Sequence, residues 1–133
     1  MKANELRIGN YVIDEDDRTD SNIYIISRIE TEEYTDWNSG DNYNFAVSIL
    51  NSKDCYYDIN PLGIPLTEEW LTNLGAEKYK KFIIHDRFVL QWKNGHNYWY
   101  VTDANFQSYI TKIEFVHEWQ NLFFTLTQKE LTL

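Results

Sequence analysis

The chain has 133 residues, a length that suits one ordinary domain or two half-size units sharing a core. Hydrophobic residues make up 43% and charged residues 25%, which is close to the globular average and excludes wholesale disorder. Aromatic residues reach 17%, so the chain has the means to bury a large core.

The charge is strongly acidic and uneven along the chain. Acidic residues outnumber basic residues 21 to 12, and the net charge of −9 disfavours direct binding to DNA, RNA or an anionic membrane. Residues 1–66 hold 13 acidic and five basic residues, a net −8, against −1 for residues 67–133. The acidic stretches at 14–20 and 30–41 are either solvated loops or a surface offered to a basic partner.

The cysteine count and the hydropathy pattern indicate the cellular compartment in which the protein is expected. Cys55 is the only cysteine, which excludes an intrachain disulfide and a thiolate metal cluster. Residues 1–6 lack the apolar run of a signal peptide, and no stretch approaches the roughly 18 apolar residues of a membrane span. We therefore expect a cytoplasmic protein.

The first half of the chain is predicted to form short strands. Apolar and polar residues alternate over 6–13, and β-branched residues fill 23–29. Further strands are predicted at 46–50 and 55–59. Because turn residues separate these segments and no helical period survives, the pattern predicts a small, strongly bent sheet or SH3-like barrel.

A short helix follows the extended connector of residues 61–65, which contains two prolines. Thr67 is suited to the N-cap, and Glu68 and Glu69 fall in the first turn, where carboxylates meet the positive end of the helix dipole. Gly75 stands where a left-handed residue would end the helix.

The rest of the chain is predicted as an antiparallel sheet followed by a helix. Strands are predicted over 82–84, 88–92, 98–101 and 109–113, and the Asn-Gly pair at 94–95 signals a tight primed turn. At 100° per residue, one broad apolar face appears near the end of the chain, formed by Phe115, Val116, Trp119, Leu122, Phe123 and Leu126.

These elements predict an α+β protein. Residues 1–66 form a small, bent, SH3-like sheet, and residues 67–133 form an antiparallel sheet packed against one short helix and a C-terminal helix. Units of this size are marginal alone, so we expect the two to fold as one cooperative body.

Four stretches resemble a family of small uncharacterised proteins of Bacteroidetes bacteria. They are residues 1–12 (MKANELRIGNYV), 64–71 (IPLTEEWL), 116–127 (VHEWQNLFFTLT) and 130–133 (ELTL). The resemblance implies a prophage-like or mobile-element origin and carries no catalytic residue. The family usually has leucine where Trp119 stands and glycine where Gln128 stands, and the second departure puts a tight left-handed turn after the helix in doubt.

Metal and cofactor motifs are missing from the sequence. Counted from Asp14, the fifth, sixth and twelfth positions of a calcium loop would be Arg18, Thr19 and Ile25, which cannot serve. Five scattered glycines give no phosphate-binding loop. We predict neither a metal nor a cofactor.

Hydrolytic catalysis would need Cys55 or a serine beside a histidine. The three histidines are His85, His96 and His117, no G-x-S-x-G motif occurs, and Cys55 has no recognisable flanking signature. The sequence therefore predicts a protein that is not an enzyme.

The aromatic segment at 98–101 is open to three interpretations. Tyr98 and Tyr100 share one face of a strand while Trp99 and Val101 share the other, and one terminal helix covers only one of these faces. The uncovered face would be further core, a protein interface, or a glycan- or ligand-binding platform that uses Trp99 or Tyr98.

The first functional hypothesis is a non-enzymatic module that binds another protein. On the C-terminal helix, Phe124 points away from the apolar face and would anchor an interface together with His117, Gln120 and Asn121. In the competing interpretation the tail folds back, and Leu131 or Leu133 covers Phe124.

The main alternative is an acidic decoy that mimics DNA and inhibits a nucleic-acid-binding host protein. The residues that would carry it are Asp14, Asp16, Asp17, Asp20, Glu32, Glu33 and Asp36. A glycan- or ligand-binding module that uses surface aromatics is the second alternative.

Overall fold

The structure is a computed structural model, and it describes residues 5–15, 22–30, 34–35, 42–43, 46–50, 56–59, 61–103 and 108–133. The chain divides into two compact units, Met1–Ile64 and Pro65–Leu133. The described residues contain helices together with antiparallel sheets, so the fold class is α+β, as predicted.

The first unit consists of short antiparallel strands. They are β1 (Tyr11–Asp14), β2 (Tyr24–Ile25), β3 (Arg28–Glu30), β4 (Tyr34–Thr35), β5 (Asn42–Tyr43), β6 (Ala46–Leu50), β7 (Tyr56–Ile59) and β8 (Pro61–Gly63). The sheets have the orders β2-β1-β8, β3-β6-β7 and β4-β5. The predicted proline connector therefore begins as a strand, with Pro61 opposite Asp14 at a sheet edge, where proline is tolerated.

A turn replaces the first part of the strand predicted at 6–13. The backbone N–H of Arg7 donates to Oδ1 of the buried Asn10 at 2.6 Å, and Gly9 has φ +94°. The side chain of Asn10 thus closes a local turn, a role for which asparagine is suited. Behind it lies a small core formed by Leu6, Val12, Ile26, Ile49 and Ile59.

The second unit is a meander between two helices. Its elements are α1 (Glu68–Asn73), β9 (Glu77–Tyr79), β10 (Phe82–His85), β11 (Phe88–Trp92), β12 (Trp99–Asp103), β13 (Tyr109–Ile113) and α2 (Val116–Thr127). The strands form one antiparallel sheet with the order β13-β12-β11-β10-β9. The strand at 109–113 and the terminal helix lie where the sequence predicts them, whereas β9 was not predicted.

Helix α1 begins and ends as its sequence predicts. The hydroxyl oxygen of Thr67 accepts a hydrogen bond from the N–H of Trp70 at 3.2 Å. At the other end Gly75 has φ +107°, and the N–H of Ala76 donates to the carbonyl of Leu71 at 3.0 Å. This is the Schellman ending that a glycine after a helix favours.

The tight primed turn predicted at 94–95 is wrong. Residues 93–98 connect β11 to β12, and the N–H of His96 donates to the carbonyl of Lys93 at 3.1 Å. Gly95 has φ +83°, whereas the φ of Asn94 is not positive. A type I′ turn needs positive φ at both central residues. Gly95 is instead the third residue of a type II turn within a longer loop.

Helix α2 closes with a left-handed residue that is not glycine. Gln128 has φ +62° and ψ +22°, and its N–H donates to the carbonyl of Phe124 at 2.8 Å. The expectation that a glutamine at position 128 disfavours a left-handed turn after the helix is therefore wrong. The backbone bond forms, and the strain of a left-handed glutamine remains.

Candidate functional site

The five-stranded sheet has two faces of different character, because successive side chains of a strand alternate. Phe88 on β11 packs edge-on against Trp119 and Phe123 of α2 and so marks the helix face. Val101 of β12 lies opposite Leu90, two residues after Phe88, so it belongs to the helix face as well. Trp99 shares that face and is buried.

The opposite face carries a group of aromatic and basic side chains. Tyr100 lies opposite Lys112 of the neighbouring strand, and Tyr98 has the same parity as Tyr100. The prediction that a terminal helix covers only one side of this strand is confirmed. Trp99 is buried on the covered side, so of the two residues named for a glycan platform only Tyr98 belongs to the uncovered face. The platform itself stays a prediction. We call the group of Lys93, Tyr98, Tyr100, Tyr109 and Lys112 the tyrosine–lysine surface.

The three tyrosine rings of this surface contact one another in sequence. The ring centroids of Tyr98 and Tyr100 are 5.1 Å apart at an interplanar angle of 83°. Those of Tyr100 and Tyr109 are 5.8 Å apart at 64°. Both are edge-to-face geometries, which are favourable for aromatic pairs beyond simple burial. The rings therefore support each other in fixed positions.

Two lysines hold positive charge over the tyrosines. The ammonium of Lys112 lies 4.9 Å from the ring centroid of Tyr98, and that of Lys93 lies 5.2 Å from the ring centroid of Tyr100. Both distances fall within the range of a cation–π contact. The imidazole of His96 also lies beside the ring of Tyr98, at a centroid distance of 5.1 Å.

The hydroxyl groups of Tyr98 and Tyr100 form a hydrogen-bonded pair, with their oxygens 3.1 Å apart. This bond, together with desolvation and the neighbouring Tyr100 and Tyr109, raises the pKa of Tyr98 above its usual value. The phenol of Tyr98 is therefore neutral at physiological pH. A neutral phenol both donates and accepts hydrogen bonds, so the pair is suited to polar recognition.

A β-bulge brings Tyr109 onto this surface. Thr111 lies opposite Val101, and an unbroken strand would therefore place Tyr109 on the helix face. The register shifts between Val101 and Thr102, and Tyr109 pairs with Thr102 instead. The bulge thus re-aims a side chain that is 60% exposed. The alternation of residues in the sequence does not predict that Tyr109 lies on this surface, because no residue type signals the bulge.

The interface predicted on α2 is not the exposed patch that the sequence suggested. His117 is 2% exposed and Gln120 is 1% exposed, so their expected exposure is wrong. Nε2 of Gln120 donates to the carbonyl of Leu131 at 3.1 Å, and Leu131 is itself buried. The tail therefore folds back onto this side of the helix.

Two members of that predicted interface keep partial exposure. Asn121 and Phe124 are half-buried, and Leu133 at the end of the chain is exposed. A role for Asn121 and Phe124 in binding stays a prediction. Without the His117 and Gln120 side chains, the patch is smaller and more apolar than expected.

The histidines occupy different environments. His85 is buried under α2, where its Nδ1 accepts a hydrogen bond from Nε1–H of Trp119 at 3.3 Å. Desolvation lowers the pKa of His85, and nearby Asp86 opposes this effect only in part. His117 stacks on Phe115 at a centroid distance of 5.7 Å. The ring of His85 serves packing, which is a structural role.

The acidic surface predicted for a DNA mimic lies almost wholly outside the described residues. Asp14 is half-buried and ends β1. The other predicted carriers fall outside the described residues, namely Asp16, Asp17, Asp20, Glu32, Glu33 and Asp36. Cys55 also lies outside them.

Within the described part of the chain, no three His, Cys, Asp or Glu side chains come together in a group that could hold a metal ion. No helix formed by the described residues has the length and apolar character needed to cross a membrane.

Comparison with family models, with curated proteins and with solved structures gives no significant match to this chain.

Proposed function

We propose that this chain is a non-enzymatic protein-interaction module and that it binds an acidic segment of another protein through the tyrosine–lysine surface. The observation that carries the proposal is the contact chain of three tyrosine rings flanked by two lysine ammonium groups. Tyrosine is enriched at protein interfaces because it offers a large rigid ring and a polar tip.

The charge of the surface indicates the chemistry of the partner. Lys93 and Lys112 are exposed, in a chain whose net charge is −9. Carboxylates of a partner would meet these ammonium groups, and the phenols of Tyr98 and Tyr100 would supply hydrogen bonds beside them. Such complementarity contributes specificity and association rate.

The rigidity of the surface also favours binding. The tyrosines lie on or beside β12 and β13, and the rings brace one another, so little side-chain entropy is lost when a partner binds. Tyr109, the most exposed of the three, would act as the anchor residue.

The wider setting belongs to the same proposal. The resemblance of residues 1–12, 64–71 and 116–127 supports a prophage-like or mobile-element protein of Bacteroidetes, acting in the cytoplasm. The short antiparallel strands of the first unit support a small, bent, SH3-like sheet.

The proposal is tested by selecting ligands for the full-length chain from a displayed library of random peptides. We expect acidic peptides that contain an aromatic or apolar residue to be enriched. Tyr109→Ala and Lys112→Glu should each weaken binding of the selected peptide more than about tenfold, measured by calorimetry. The Lys112→Glu effect should shrink as salt is raised, because screening weakens exposed charge pairs.

Tyr79→Ala is the matched control, since Tyr79 is an exposed tyrosine on β9 at the other edge of the same sheet. Equal loss from Tyr79→Ala and Tyr109→Ala would overturn the proposed surface. Enrichment of peptides without acidic residues would overturn the proposed partner chemistry. Binding of a glycan array through Tyr98, with no peptide selected, would move the glycan alternative to first place.

A further inference from the structure

The second unit also contains a small open pocket on the side of the sheet that carries Trp99. Its volume is about 120 Å³, and it is lined by Glu68, Lys78, Lys80, Lys81, Phe82, Ile83, Trp92 and Trp99. This is below the ~300–1,000 Å³ of pockets for drug-sized ligands, so it would accept a single substituted ring.

The wall of the pocket is a pair of tryptophans. The ring centroids of Trp92 and Trp99 are 5.3 Å apart at an interplanar angle of 59°. Trp99 is held by the bond from its Nε1–H to the carbonyl of Leu66, at 2.8 Å. Trp92 lies at the end of β11 and remains 44% exposed. A fixed indole therefore supports an exposed one, an arrangement suited to stacking with an aromatic ring.

The rim of the pocket is basic. Nζ of Lys78 forms a salt bridge with Oε1 of Glu68 at 2.6 Å, and these two charges cancel. Lys80 and Lys81 remain, and they form no ion pair with any residue in the described parts of the chain. The pocket thus carries a net charge of about +2, in a protein that is acidic overall.

The two rim lysines occupy the tip of the β9–β10 hairpin, between the paired residues Tyr79 and Phe82. Lys80 has φ +36°, a conformation that favours glycine or asparagine in a two-residue hairpin. A residue kept in a costly backbone conformation is a reason to seek a function for it. Here that residue is Lys80, which supplies one of the ammonium groups of the pocket.

We infer that this pocket binds a small planar aromatic carboxylate. The aromatic ring stacks on the exposed indole of Trp92, and the carboxylate is held by the ammonium groups of Lys80 and Lys81. The site is separate from the tyrosine–lysine surface, and it does not depend on the proposed protein partner.

Benzoate is the probe, and two close relatives serve as matched ligands. Benzamide has the same ring without the charge, and cyclohexanecarboxylate has the charge without the aromatic ring. We expect benzoate to shift the indole N–H resonance of Trp92 in the NMR spectrum of the full chain. Each matched ligand should bind about tenfold more weakly.

Two variants separate the site from general charge effects. The double variant Lys80→Gln and Lys81→Gln should weaken benzoate binding about tenfold, because the charge-assisted contacts are lost. Lys129→Gln removes an exposed lysine near the end of the chain and should leave binding unchanged. Both variants alter exposed side chains, so the spectrum of each should remain that of a folded protein.

Three outcomes would overturn the inference. The first is an unshifted Trp92 resonance at saturating benzoate. The second is equal binding of benzoate and benzamide, which would mean that the lysines take no part. The third is an equal loss of binding in Lys129→Gln and in the double variant, which would mean a general effect of net charge.

Discussion

The indole N–H of Trp119 donates a hydrogen bond to Nδ1 of His85 at 3.3 Å, inside the contact between α2 and β10. The His85 ring also lies 4.7 Å from the ring centroid of Phe123. The bond requires an unprotonated Nδ1, so a neutral imidazole is part of the packed state.

The stability of the protein should therefore decrease as the pH falls below about 6.5. Burial lowers the pKa of His85 below this usual value, so near its folded pKa the unfolded chain binds more protons than the folded chain. The stabilising contribution is complete above about pH 6.5 and is lost as the pH falls from there toward the folded pKa. Urea unfolding at a series of pH values measures this.

His85→Asn is the control for the pH effect. The asparagine amide oxygen can accept the N–H of Trp119, and it does not titrate. We expect a shallower decrease of the free energy of unfolding between about pH 6.5 and 5 in the variant. Identical slopes in the two proteins would contradict the role of His85.

Replacing Trp119 by leucine should destabilise the protein by about 2–4 kcal/mol. Trp119 is fully buried against Phe88 and Phe123, so the smaller side chain leaves a cavity and removes the bond to His85. Thr125→Ala, an exposed change in the same helix, should stay within about 0.5 kcal/mol. Equal midpoints in urea for both variants would contradict this expectation.

Gln128→Gly should stabilise the protein by about 0.5–1 kcal/mol. The left-handed φ of +62° is costly for glutamine and free of strain for glycine. Lys129→Gly is the comparison, because the φ of Lys129 is not positive and glycine there gives no relief of strain. Thermal unfolding of the three proteins measures the difference. A lower midpoint for Gln128→Gly than for the unaltered chain would show that the strain is relieved in another way.

Arg87→Gln should destabilise the protein by about 0.5–1 kcal/mol, and less at high salt. Nη2 of Arg87 donates to the carbonyl of Leu126 at 2.5 Å, at the negative end of α2, whose last turn has no basic residue of its own. The guanidinium also lies 5.3 Å from the ring centroid of Phe88. Arg87→Lys keeps the charge and should recover part of the loss. An effect of Arg87→Gln that is independent of salt would argue against the charge contribution.

The local elements of the second unit could be predicted because their signals are local. Thr67 and Gly75 lie at the two ends of α1 and carry its capping bonds within a few residues. The apolar period correctly places Trp119 and Phe123 on the buried side of α2, whereas Leu126 of the same predicted face is exposed.

The features that the sequence did not predict depend on contacts between residues that are far apart in the sequence. The sequence places Gln120 on the polar side of α2, but the returning tail buries it, and its amide donates to the carbonyl of Leu131. Tyr109 joins the tyrosine–lysine surface only through a register shift between Val101 and Thr102. Neither the returning tail nor the bulge leaves a pattern in the residues nearby.

The edge position of β13 has a consequence for how copies of this chain meet. An exposed edge is a template for fibril growth, yet Lys112 places a charge on this strand and the bulge twists it. Just beyond its end, the N–H of Leu66 donates to the carbonyl of Glu114 at 2.8 Å and occupies one main-chain acceptor. The strand is thus a poor site for backbone pairing with a strand of another molecule. Association through this edge of the sheet therefore depends on the shape and charge of its side chains rather than on strand pairing.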